Sequence, residues 1–238
     1  MSGRHPVEHP ALLRLLARPA PEVAPRLLGG LFGHRTAEGA VVVRITEVEA
    51  YGGPPGTDLP DPGAHTWRGR TARNASMFGP PGHVYVYFTY GMHHAVNLVC
   101  RPDGVPGGCL IRAGEVVEGA GLARARREAG RAGPVPDAAL ARGPGNLAKA
   151  MGIVLAHDGA PLAAGERPGA HGPAHGFFLR LPERPEPSAH GPRTGVSGPG
   201  GTPEYPWRWW VPGEPTVSPY RPAAARRRRG RPPGGDDG

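Results

Sequence analysis

Two carboxylates stand where a strand should be apolar. In "RITEVEAYGG", residues 44–53, Glu47 and Glu49 follow the β-branched run Val41, Val42, Val43 and Ile45, with Val48 between them and Tyr51 and two glycines after. A carboxylate in such a run is costly unless it is paired, solvated or used. Residues i and i+2 of a strand share a face, so the two can act together as a glycosidase-type pair, or one alone can activate a water. For Glu47 the simpler reading is a surface or arginine-paired side chain at the start of the strand.

A second concentration of chemistry lies in "GPPGHVYVYFTYGMHHAVNLV", residues 79–99. Alternation places Tyr85 and Tyr87 on one face and Val84, Val86 and Phe88 on the other. Strand tyrosines can simply cover their neighbours. In a basic protein they also offer faces on which unpaired bases stack, at about 1–3 kcal/mol each. A tyrosine at a turn tip, here Tyr90 beside Gly91 and Met92, is shaped to wedge between base pairs. His65, His83, His93 and His94, with the two glutamates, are the raw material of a metal site. No spacing among them matches HExxH or a closed zinc set, and neighbours on a strand such as His93 and His94 face opposite ways. No metal is expected.

These residues need a frame. "HPALLRLLARP" has helical spacing at Leu12, Leu15 and Leu16 and stops at a proline, whereas "VAPRLLGGLFGHR" reads as a short apolar run interrupted by glycines. Strands are expected at about 40–49, 83–90, 93–100 and 108–113, the second and third forming a hairpin around "TYGMHH". Helices are expected in "VVEGAGLARARREAG" and "GPGNLAKAMGI", and "YPWRWWVPGEPTVS" is a β-like stretch holding three tryptophans. "PGAHGPAHG" and "PERPEPSAHGPR" are poor in hydrophobes and read as surface loops. Together these elements predict one α+β domain with a mainly antiparallel sheet. Residues 1–20 would form an arm and helix start, 21–220 the domain, and 221–238 an Arg-rich disordered tail.

Composition bounds the function. The 238 residues carry a net charge of +8, which suits a polyanionic partner through counterion release. Nearly all cations are arginine, Lys149 being the only lysine, and the Gly-, Pro- and Ala-rich background has the look of a GC-rich coding sequence. Two cysteines, Cys100 and Cys109, supply neither a metal-type pair nor a disulfide framework. No 18-residue apolar run exists and "MSGRHPVEHP" lacks a signal-type core, so neither a membrane span nor secretion is expected, and the chain reads as cytoplasmic.

In order along the chain, "RITEVEAYGG", "AHTWRGRTARNASMF", "PPGHVYVYFTYGMHHAVNLV" and "CLIRAGEVVEG" resemble the alkyladenine or 3-methyladenine DNA glycosylase family. The resemblance runs from about Leu27 to Ser218 and takes in "RTGVSG". It implies a curved sheet flanked by helices with a protruding hairpin, as in the formyltransferase C-terminal-domain-like fold. It also implies a monomeric, monofunctional enzyme without cofactor that flips alkylated or deaminated purines, such as 3-methyladenine, 7-methylguanine, hypoxanthine or ethenoadenine, out of double-stranded DNA and hydrolyses the bond to deoxyribose. Carried over by motif, Glu49 matches the general base and Arg112 the residue that helps hold the water. Tyr51 and Tyr87 match the aromatics around the extruded base, His65 the imidazole of the same pocket, and Asn97 the polar group that discriminates purine edges. Tyr90, with Met92 beside it, matches the intercalating tip. Arg70 and Arg73 suit phosphate contacts, or bonds to loop carbonyls.

One departure is the connection "GGPPGTDLPDPGA" between Tyr51 and His65, longer than the family's usual one; it is expected to bulge outward, with Asp61 and Pro62 restoring the register. Two rival readings compete: a non-catalytic nucleic-acid-binding module of the same fold, and a carbohydrate glycosidase using Glu47 with Glu49. Lyase chemistry through a Schiff base is disfavoured, because Lys149 belongs to a helix.

Overall fold

The computed structural model describes residues 10–89, 93–164 and 175–223. Helices α1 (Pro10–Leu16) and α2 (Ala20–Leu27) are followed by strands β1 (Leu31–Thr36) and β2 (Gly39–Tyr51). The β3 (Val84–Thr89) and β4 (His93–Val99) hairpin leads to β5 (Gly108–Glu118), then to helices α3 (Ala120–Glu128) and α4 (Pro144–Met151). Short strands β6 (Leu162–Ala164), β7 (Gly176–Arg180), β8 (Ala189–Gly191) and β9 (Arg208–Trp210) complete one curled sheet. Its order is β3-β4-β5-β2-β1-β7-β6, with β9 on β2 and β8 on β9. All pairs are antiparallel except β6 with β7. The molecule is thus a single α+β domain, and no helix among the described residues is long and apolar enough to cross a membrane.

β2 organises the rest. Its first half pairs with β1, its second half with β9, and β5 runs along its other edge. In the core, Val41, Val43 and Ile45 are followed by Val48 and Ala50, so the alternation slips by one residue. The slip coincides with irregular register against β5 on either side of Glu47. A bulge moves the following side chains to the opposite face. Without it, positions 47, 49 and 51 would continue the core series; with it, Glu47, Glu49 and Tyr51 leave that face. The neighbouring strands keep the same division. Val84, Val86, Val96, Leu98, Cys109 and Ile111 join the core, leaving Tyr85, Tyr87, Asn97, Leu110 and Arg112 for the other face.

Several sequence expectations are corrected. The run "VAPRLLGG" opens within a helix, α2, which buries Ala20, Val23, Ala24 and Leu27 at helical spacing; Pro25 is tolerated near its end. Val116, Val117 and Glu118 belong to β5, not to the next helix. α3 starts only after Gly119, whose φ of +76° and 2.0 Å clearance between a notional Cβ and the Ala40 carbonyl exclude other residues. The helix start expected within residues 1–20 is α1, whose Leu12, Leu15 and Leu16 pack into the core. "PERPEPSAHGPR" is not wholly surface, since it contains β8 and ends at Arg193, which is completely buried. Tyr90, Met92 and most of the Arg-rich tail lie outside the described residues.

Candidate active site

On the sheet face turned away from the apolar core, β2, β3, β4 and β5, with Pro144 at the start of α4, enclose a cavity of about 210 Å³. That is below the roughly 300–1,000 Å³ typical of sites for drug-sized ligands and suits one compact ring system. Tyr51, His65, Tyr87, Asn97 and Arg112 all line it. Leu110 forms part of the same wall, while Thr194, Gly195 and Val196 approach from a loop after β8. Tyr85 and Tyr87 stack with ring centres 5.5 Å apart, and His65 meets Tyr87 edge-on at 4.6 Å. The His65 Nδ1 lies 3.2 Å from the Tyr85 hydroxyl, and Asn97 donates to the Tyr85 carbonyl at 3.3 Å across the β3–β4 pair. Desolvation, then the Arg73 charge, lowers the His65 imidazole from its usual value.

Glu49 sits one layer behind this wall, fully buried, bonded to three residues that form it. Its Oε2 accepts from the Tyr51 hydroxyl at 2.8 Å and from Arg112 Nη1 at 3.1 Å; its Oε1 accepts from the Thr194 N–H at 2.6 Å. Burial, then the Glu49 charge, raises the Tyr51 phenol well above its ordinary value, so it stays protonated and keeps donating.

Glu47 is no surface residue. It is completely buried, and only the arginine-paired half of the sequence expectation holds. Its Oε1 accepts from Arg112 Nε at 2.8 Å, Arg208 Nε at 2.6 Å and the Ser218 hydroxyl at 2.9 Å, while Oε2 accepts from the Ser218 N–H at 2.8 Å. Glu47 thereby fixes the guanidinium that reaches Glu49. Burial pushes its carboxyl upward, but Arg112, Arg208 and the two Ser218 bonds outweigh this and hold it below its ordinary 4.5. A depressed folded value means stability that is fully present above the unfolded value and lost as pH falls through the folded one. Wild-type protein should therefore lose thermal stability on acidification below about pH 4.5, and Glu47→Gln should start lower at neutral pH and show a shallower acid limb. Melting temperature against pH for both proteins checks this; parallel curves would contradict it.

Residues the sequence reading passed over hold the site's other side. Asp61 and Arg193 are both completely buried and form a two-point ion pair at 2.6 Å each. Asp61 also accepts from the N–H groups of Gly52 and Gly63, and Arg193 donates to the carbonyls of Ala50 and Gly200. The guanidinium lies over the Tyr51 ring at 4.6 Å and the Trp207 ring at 5.3 Å. The extended connection after Tyr51 thus exposes Pro55 and Gly56 as expected, yet its end is fastened beneath the site. The available cues were "RTGVSG" and the acid closing a Pro/Gly stretch.

Other candidates stand apart from the cavity. Arg73 donates to the Phe88 carbonyl at 2.8 Å, and Arg70 lies 5.9 Å from the Phe78 ring centre, both on an exposed loop. Lys149 lies on α4 and donates to the Ala129 carbonyl. No cluster of three or more metal-ligating side chains occurs among the described residues.

A cavity walled by aromatic rings, with a buried carboxylate and an arginine at its back, on a basic α+β domain, offers flat faces for a ring system beside a group able to take a proton. Comparison with known proteins makes this specific. The methylpurine-DNA glycosylase family matches residues 14–215, and the chain belongs to that family. It is 50% identical over 224 residues to a protein of Streptomyces avermitilis, covering 94% of this chain and 98% of that one. It is 52% identical over 200 residues to one of Leifsonia xyli subsp. xyli (84% and 87% covered) and 47% identical over 204 residues to one of Nocardia farcinica (84% and 87% covered). All three bear the name "Putative 3-methyladenine DNA glycosylase". The protein is accordingly a DNA-repair hydrolase acting on the N-glycosidic bond, with DNA as its partner.

Proposed function

We propose that this enzyme, acting as a monomer, extrudes methylated purines, 3-methyladenine foremost, from double-stranded DNA and hydrolyses their glycosidic bond with a water activated by Glu49. One observation carries the reading: a completely buried carboxylate bonded to three residues of an aromatic-walled cavity. The anomeric carbon is unreachable inside the duplex, so the nucleotide must leave the stack. Tyr51, Tyr87 and His65 supply faces and an edge for the base, and Asn97 a polar group for its rim. Tyr90 and Met92 are assigned to the gap left in the duplex, and Arg70 and Arg73 to its phosphates.

In the chemical step the carbon–nitrogen bond breaks and its electron pair departs with the purine. A base already methylated on a ring nitrogen carries positive charge and leaves neutral. The sugar becomes cationic, and the Glu49 carboxylate stabilises it while taking one proton from the attacking water. Arg112 spends three N–H groups on Glu47, Glu49 and Ser218 and retains two of its five to steady oxygen atoms at the cavity wall.

Duplexes carrying 3-methyladenine, 7-methylguanine or hypoxanthine, incubated with the protein and treated with alkali, test this. Strand cleavage at the methylated base is expected, since alkali cuts at abasic sites. Intact strands across the panel would overturn the substrate assignment in favour of nucleic-acid binding without excision.

A further inference from the structure

Thr194 is the first residue after the buried Arg193, and it brings two polar groups to the site. Its N–H is bonded to Glu49 Oε1 at 2.6 Å. Its hydroxyl oxygen is buried and has no hydrogen-bond partner among the described residues, although Thr194 lines the cavity. A buried hydroxyl without a partner is unfavourable, and such groups in native structures call for an explanation.

We propose that the Thr194 hydroxyl is a positioning group for the nucleophilic water, holding it against Glu49 Oε1. This rests on Glu49 acting as the base. The carboxylate's own bonds locate the water. Glu49 Oε2 already accepts two bonds, from Tyr51 and Arg112, whereas Oε1 accepts one, from Thr194 itself. The less occupied oxygen is thus the one bonded to the residue with the unpartnered hydroxyl. A water there donates one proton to Oε1 and the other to Thr194 Oγ1, which leaves its oxygen lone pairs free for attack. As the water attacks, the first proton passes to Glu49, the second remains on the product hydroxyl, and Thr194 transfers none. The hydroxyl fixes direction; the carboxylate does the chemistry.

Thr194→Val keeps the shape and the N–H and removes only the hydroxyl; Thr194→Ser restores a hydroxyl. With duplex methylated by dimethyl sulfate, Thr194→Val should release methylated bases in single turnover about tenfold more slowly, with DNA affinity and melting temperature unchanged. Thr194→Ser should recover most of the rate. Should the valine variant fold poorly, Thr194→Ala carries the same comparison with Thr194→Ser. A wild-type rate in the variant lacking the hydroxyl, or a loss that serine does not recover, would overturn the proposal. Glu49→Gln run alongside separates the two readings. If it excises normally, the base assignment itself fails; if it is inactive while Thr194→Val is normal, only the role of Thr194 fails.

Discussion

Glu49→Gln protein should bind methylated duplex as the wild type does yet excise at least about two orders of magnitude more slowly, the scale expected when a positioned base is removed. Gln has one acceptor oxygen, which can keep the Thr194 N–H bond; its amide nitrogen then replaces Oε2, gives up the Arg112 bond and donates to the Tyr51 hydroxyl in place of accepting from it, so the wall keeps its shape with one bond fewer. It cannot take a proton from water or counter a sugar cation. The effect should appear in the single-turnover rate and not in the dissociation constant for DNA. Excision at the wild-type rate would remove Glu49 from the mechanism.

The second large effect should be on stability. Asp61→Asn leaves the Arg193 charge without its counter-charge in a place where both side chains are completely buried. Breaking a buried ion pair from one side costs about 3–5 kcal/mol. For a domain of this size each kcal/mol corresponds to roughly 2–4 °C, so the melting temperature should drop by roughly 6–20 °C. Replacing both partners, Asp61→Leu with Arg193→Met, removes the orphaned charge and should recover part of the loss. A single variant melting within about two degrees of wild type would show that the pair is not a structural anchor. Excision should fall as well, because Arg193 supports the Tyr51 ring and immediately precedes Thr194.

Local signals were legible where pattern alone decides the outcome. Alternation through "VYVYF" correctly divides core valines from pocket tyrosines, and the leucine spacing of α1 and the hairpin of β3 and β4 follow from the same rules. The motif resemblance brought Tyr51, His65, Tyr87, Asn97 and Arg112 together, and they share one cavity. What was illegible depends on partners far away in the chain. Glu47 reads as either a surface or an arginine-paired acid because Arg208 and Ser218, which bond to it, come 161 and 171 residues later. Asp61 waits 132 residues for Arg193. The slip in β2 was visible as Val41, Val43, Ile45, then Val48, but only the register with β5 shows that it turns the carboxylates away from the core. Strands of three residues such as β8 and β9 carry too few side chains to show a period; β9 forms on the edge that β2 offers, and β8 on β9.

The connection between Tyr51 and Asp61 has a practical consequence. Gly53 donates to the Leu59 carbonyl and accepts from the Asp61 N–H, so the chain pinches shut before its ends meet the site. At the tip Pro55 and Gly56 are exposed, and Gly56, at φ +84°, makes the turn as glycine. Lengthening a loop closed in this way costs only about (3/2)RT ln of the length ratio, tenths of a kcal/mol for a few residues. A short peptide tag inserted between Pro55 and Gly56 should therefore leave the cavity wall in register and let the protein be followed along DNA.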